Sequence, residues 1–369
     1  MNIALLLVST LLSIVTGDRV TPPDLPDNPD NERLTPWPAG TLDLSQIPYK
    51  IVHETYRQTD GRRNWEIFVM NADGSNPVNL TNTPETDEMY PHVSPDGKKI
   101  CFVVDEGERR NRVRHVYVMD IDGSNRVHIA DHAREPCWSF DGKSVAYLTD
   151  EYARFSTREY ATDALMYYYL ENKWVRPHVN TDLHHLYAIC WSPDGKWFTA
   201  AVSGGMGYSD TIIAFEAFGQ RVFDLAKWGV KGCRPDLSVE GNQMVWGETD
   251  WNLKIGDIAF GEVSSVKSEV SSEDRAPETS NLKLQTLTEP KVTNTREILR
   301  CSRNYKVYHV DLSPDQKWIT FTYGPFRGGQ QVGGFADGWN ICVGNLQGQW
   351  VQITDNGLHN KEPDWIPIK

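Results

Sequence analysis

The apolar positions of the chain fall in short runs bounded by turn residues. Trp65 to Met70 is one run, closed by Asn71-Ala72-Asp73-Gly74-Ser75-Asn76. Val116 to Met119 is another, closed by Asp120-Ile121-Asp122-Gly123-Ser124-Asn125. Runs of this length, rich in Val, Ile, Tyr and Phe and punctuated by Gly, Asp and Asn, predict β-strands joined by tight turns. Tyr49 to Glu54, Val78 to Thr81 and Val127 to Ala130 read the same way. A third pattern is Tyr90-Pro91-His92-Val93-Ser94-Pro95-Asp96-Gly97-Lys98-Lys99-Ile100-Cys101-Phe102, a strand, a Pro-Asp-Gly turn and a second strand. It predicts an antiparallel hairpin.

That hairpin repeats. Copies lie at Glu135 to Lys143 and Ala188 to Lys196, with weaker ones at Arg234 to Ser238, Val310 to Lys317 and Glu362 to Pro367. The serines stand at 94, 139, 192, 238 and 313, with Ile366 in the sixth place, so the spacings are 45, 53, 46, 75 and 53 residues. Four-stranded antiparallel units at this period predict an all-β chain forming a single β-propeller. The C-terminal copy has an inner strand and no second strand, and Tyr49 to His53 is a second strand with no inner one. Together they are expected to complete one blade and close the ring without a free edge. Six repeats are counted; the 75-residue interval leaves room for a seventh blade or for an insertion, loop-like over 261–281. The predicted domain is residues 49–369, preceded by an extended leader over 18–48 rich in Pro, Asp and Asn. The Trp-Ser-Pro-Asp-Gly-Lys core and the Val-Met-Asp-x-Asp-Gly-Ser strand end resemble the TolB-type propeller repeat, which implies this fold and says little about activity.

Composition narrows the class. A net charge of −13 argues against non-specific nucleic-acid binding, which needs a basic surface. Ile3 to Val15 is almost wholly apolar, too short to span a bilayer and the length of a signal-peptide core, so residues 1–17 are expected to be removed on export. Six widely spaced cysteines form no Cys-x-x-Cys-His, so no haem is expected to be covalently attached, and there is no Cys-x-x-Cys zinc spacing.

Two places could carry chemistry. Two residues before each repeat serine stand His92, Cys137, Cys190, Asp236, Asp311 and Asp364; four before stand Tyr90, Glu135, Ala188, Arg234, His309 and Glu362. Period-two spacing puts both sets on the channel side of the inner strand. His92, Asp236, His309, Asp311 and Asp364 make a candidate polar-ligand or divalent-metal site at the channel mouth, against the plainer reading that these side chains bond neighbouring backbone. The second place is the face carrying the loops between second and third strands: Tyr56 to Asn64, Asp105 to Arg114, Glu151 to Asp163, Ser203 to Ser209, Gly247 to Asn252 and Gly324 to Gly338. Glu248, Asp250, Trp251, Phe326, Arg327 and Phe335 are the expected partner contacts there, because interface cores favour aromatics. Arg109, Arg110, Arg112 and Arg114 are balanced by Asp105, Glu106 and Glu108 and read as a solvated hairpin end. His184 and His185 are adjacent and expected to face opposite ways on a strand.

Three functions compete. In overall plan the chain is similar to the haem-free propeller (β) subunit of hydrazine synthase, the multihaem enzyme of anaerobic ammonium oxidisers. That resemblance implies a non-catalytic subunit of an exported redox complex, in the periplasm or the lumen of an equivalent compartment. It implies multihaem cytochrome-type partners that carry the haems and the nitric oxide and ammonium chemistry, with Val245 to Asp257 reaching towards a partner's haem. The second reading is a TolB-like envelope binding module, although residues 18–48 are too few for that family's leading α/β domain. The third is a metal-dependent lyase for acidic sugars, with His92, His309 and the aspartates as ligands and Arg234 on a substrate carboxylate.

Overall fold

The computed structural model describes residues 42–107, 111–150, 162–263, 288–326 and 338–367. The expected signal segment and most of the expected leader, the stretch 264–287, Arg327 and Phe335 lie outside them. Twenty-four strands, β1 to β24 in chain order, form six four-stranded antiparallel sheets. Apart from two short 3-10 turns at Leu44–Gln46 and Leu225–Trp228, the described residues hold no helix, and none long and apolar enough to cross a membrane.

The repeat motif explains four of the inner hairpins. After β4 (Asp87–Val93), Ser94 Oγ donates to Asp96 Oδ1 at 2.7 Å and accepts from Lys99 N at 2.9 Å. Asp96 Oδ1 also accepts from Lys98 N at 3.1 Å, and Gly97 takes a φ of +72°. One serine and one aspartate therefore satisfy the turn's backbone donors, and glycine supplies the left-handed residue. The copies at Ser139/Asp141 and Ser192/Asp194 make the same bonds. At Ser313/Asp315 the left-handed place falls to Gln316, φ +58°.

The inner strands are β4, β8 (Ala133–Trp138), β12 (Leu186–Trp191), β16 (Cys233–Leu237), β20 (Tyr305–Leu312) and β24 (His359–Ile366), each packed against the next around the ring. Closure is as the repeat predicts: β24 pairs antiparallel with β1 (Lys50–Thr59), followed by β2 (Arg62–Asn71) and β3 (Val78–Asn79) in one sheet. The 75-residue interval holds one blade, β16 to β19, with the long connection lying between β18 (Asn252–Ala259) and β19 (Lys291–Arg300). The ring has six blades. Cores fill the gaps between sheets, with Trp197, Trp246 and Trp350 almost wholly buried.

Several local expectations change. Tyr56 to Asn64 is no loop: β1 and β2 run on to a tight Asp60-Gly61 turn, both at positive φ, the conformation a two-residue hairpin needs. Gly247 to Asn252 likewise tightens to the two-residue turn Asp250-Trp251 between β17 (Gln243–Thr249) and β18. Arg114 is buried, not solvated, and grips Asp105 through Nε at 2.7 Å and Nη2 at 2.8 Å, while Arg112 bridges Asp87 and Asp105; Arg109 and Arg110 lie outside the described residues. His184 and His185 precede β12 rather than lie on it. His185 is left-handed (φ +59°), which turns both rings to one side with their Nδ1 atoms 2.6 Å apart. The six cysteines are unpaired.

Candidate functional site

The twelve positions singled out in the repeat all line one cavity along the ring axis, of about 690 Å³ including space open to solvent. Simple alternation does not put them there. Every inner strand carries a bulge between the two positions, as between Met89 and His92 or Tyr308 and Asp311. At each bulge the residue four before the serine position is left-handed: Tyr90, Glu135, Ala188, Arg234, His309 and Glu362 have φ between +47° and +53°. A bulge re-aims a side chain and bends the strand. Repeated six times, it turns a second residue per blade into the channel.

Three aspartates then act as circumferential staples. Asp364 Oδ2 accepts from Val93 N at 2.7 Å, Asp236 Oδ2 from Leu312 N at 2.9 Å, and Asp311 Oδ2 from Trp365 N at 3.1 Å. Each bond joins one blade to the next. The carboxyl of Asp311 also bonds those of its two neighbours; burial first, then the charges of Asp236 and Asp364, push it well above the carboxylate range. A protonated Asp311 can donate to both flanking acids only in turn, so the three share protons. Asp364 is held below its ordinary value, because hydrogen bonds from His92 and Asp311 outweigh burial. His92, half exposed to the cavity and 3.6 Å from Asp364, is raised in turn, the Asp364 contact overcoming burial.

The upper tier is a second network. Arg234 Nη1 lies 3.2 Å from Glu362 Oε1, and His309 Nε2 lies 2.9 Å from the same oxygen. Burial would raise Glu362, but Arg234, His309 and Lys361 together outweigh it and keep the carboxylate ionised. Burial pushes His309 down to about 4, so it is neutral at pH 7. Glu135 caps the tier by accepting from Ala188 N at 2.8 Å. Behind the wall, buried Lys361 Nζ sits 2.9 Å from buried Glu54 Oε1, over the rings of Trp65 (4.6 Å) and Tyr90 (5.0 Å). Burial disfavours the ammonium, yet Glu54, Tyr90 and Glu362 together outweigh it and hold Lys361 charged.

The loop-bearing face brings part of its expected set together. Trp251 and Phe326 meet edge to face at 6.3 Å, with Lys306 Nζ 4.6 Å from the Phe326 ring and 5.8 Å from that of Trp251. Asp250 holds that ammonium at 2.5 Å. Both rings are half-buried on the seam between the fifth and sixth blades. Among the described residues, no acceptor reaches the buried Trp251 Nε1. Glu248 is turned into its own hairpin, bonded to Lys254 and Asn252.

One cluster was missed in the sequence. Among the described residues, His115, His128 and Asp131 are the group of three whose ligand atoms all lie within 4.8 Å of one another. They sit on β6 (Val113–Asp120) and β7 (Val127–Asp131), where the register places His115 opposite Asp131. The channel set does not converge so closely.

This geometry defines a TolB-like six-bladed β-propeller. No family model matches the chain. It is similar to the Tol-Pal system protein TolB of Thioalkalivibrio sulfidiphilus, 28% identical over 127 residues, which cover 32% of this chain and 28% of that protein. Its structure is similar to that of TolB from Acinetobacter baumannii, with a TM-score of 0.58 and 17% identity over 87% of this chain and 67% of that one. It is also similar to Kuenenia stuttgartiensis hydrazine synthase, with a TM-score of 0.55 and 12% identity over 86% of this chain and 46% of that one. At these identities the structural likeness establishes the fold. The chain spans well under half the length of the curated TolB it matches and less than half of the hydrazine synthase chain.

Proposed function

We propose that this protein is an exported, non-catalytic docking propeller that joins a larger complex through its loop-bearing face. The observation that carries the reading is the Trp251–Phe326–Lys306–Asp250 cluster. A half-buried aromatic pair with a cation over both rings is a preformed anchor for another protein. The channel favours this reading over a lyase, because its aspartates are engaged with backbone N–H groups and Glu362 with Arg234.

Within this reading, the likeness to hydrazine synthase favours a redox complex whose haems sit on multihaem partner subunits. The turn Asp250-Trp251 belongs to the stretch Val245 to Asp257 expected to reach such a partner. The local identity to TolB favours an envelope protein as partner instead. Co-purification from the producing organism, with mass spectrometry of the bound proteins, separates the two: cytochromes support the first, envelope proteins the second. Trp251→Ala with Phe326→Ala is expected to weaken the complex by about 2 kcal/mol or more while circular dichroism stays unchanged. Equal recovery of the partner by parent and variant would exclude this face.

A further inference from the structure

We propose that His115, His128 and Asp131 form a zinc-class divalent metal site on the outer rim of the second blade. His115 Nδ1 lies 2.7 Å and His128 Nε2 2.8 Å from Asp131 Oδ1, so one carboxylate oxygen and two imidazole nitrogens converge on a single point. Two imidazoles and one carboxylate suit zinc and its first-row neighbours and not calcium or magnesium, which take oxygen ligands. Tetrahedral zinc with bonds of about 2.0–2.1 Å separates its ligand atoms by about 3.3 Å. Each nitrogen needs to move from Asp131 Oδ1 by only roughly half an ångström to reach that separation.

The setting is built to hold that geometry. Tyr117, between the two histidines on the same face, packs edge-on against both rings, at 6.3 Å from His115 and 5.1 Å from His128. The strand register fixes His115 opposite Asp131 and His128 opposite Tyr117, with a register shift between Val116 and Tyr117. The far nitrogen of His115, Nε2, faces Glu106 Oε2 at 3.8 Å, within reach of the outer carboxylate that orients a metal-bound imidazole. His115 is mostly buried, whereas His128 and Asp131 are 43% and 59% exposed, so an ion can enter from solvent. Three protein ligands leave a fourth position open, for water or for a donor from a docked protein.

The test is zinc titration of the full chain, free of any histidine tag, by calorimetry, with Co2+ absorption as a spectroscopic check. We expect one equivalent bound at micromolar affinity or tighter. His128→Ala and Asp131→Asn, both at exposed positions that leave the fold intact, are each expected to weaken it at least 30-fold. Glu106→Gln is expected to weaken it about tenfold. His92→Ala, in the channel, is expected to change nothing. Binding that is weaker than millimolar, that survives His128→Ala and Asp131→Asn, or that is lost with His92→Ala overturns the proposal.

Discussion

Removing the ammonium of Lys361 is the most direct test of how the ring is locked shut. Lys361 lies on the C-terminal strand opposite Glu54 on the N-terminal one, and the two side chains are 1% and 0% exposed. Burial already pushes Glu54 up to about 7, so Lys361→Ala forces its carboxyl to take up a proton or stay charged in the interior beside the backbone N–H of Tyr90, and strips the cation from two aromatic rings. Breaking one side of a buried pair costs about 3–5 kcal/mol. Replacing both partners by neutral groups of similar volume is often nearly neutral. Glu54→Gln with Lys361→Met is therefore expected to recover most of the loss, giving a coupling energy of about 2 kcal/mol or more. Urea unfolding followed by tryptophan fluorescence reads both values, with the slope against urea checked for constancy. A Lys361→Ala protein within 1 kcal/mol of the parent, or a double variant as unstable as the sum of the singles, refutes the clasp.

Three further outcomes are expected. Asp311→Asn will cost under about 1 kcal/mol at pH 7, because a carboxyl already held protonated is replaced by a neutral group that can still accept from Trp365 N and donate to both neighbours, whereas Asp364→Ala will cost about 2 kcal/mol or more by orphaning Val93 N; equal melting temperatures for the two would contradict the shared-proton staple. Burial pushes His53 down to about 4, so the unfolded chain binds a proton that the folded one refuses between pH 4 and 6.5; its contribution is complete above 6.5 and lost as pH falls towards 4. His53→Gln should flatten the acid side of the stability profile in that window, and an unchanged slope would show that His53 charges freely in the fold. The purified, denatured chain is expected to show no Soret absorbance, since no Cys-x-x-Cys-His attaches haem; a retained band would contradict it.

The repeat was legible because each of its residues does a local job. Ser94, Asp96 and Gly97 satisfy one turn within five residues, so their order alone reports the hairpin, and the orphan half-blades at the two ends report closure. The residues two and four before each serine could be named for the same reason, since the period fixes their place on the inner strand. What the sequence did not determine is how they meet. Six non-glycine residues near φ +50° carry no compositional mark, because the left-handed conformation is imposed by packing of adjacent inner strands rather than by local preference. The fate of the channel carboxylates likewise depended on which backbone N–H of the next blade came within reach, over separations such as the 271 residues between Val93 and Asp364. The same holds for Lys361, which in sequence is only a charge in a strand, and for the convergence of His115, His128 and Asp131. Local chemistry set the strands and turns; long-range pairing and ring closure alone decided which charges were buried, which were stapled and which were left facing outward.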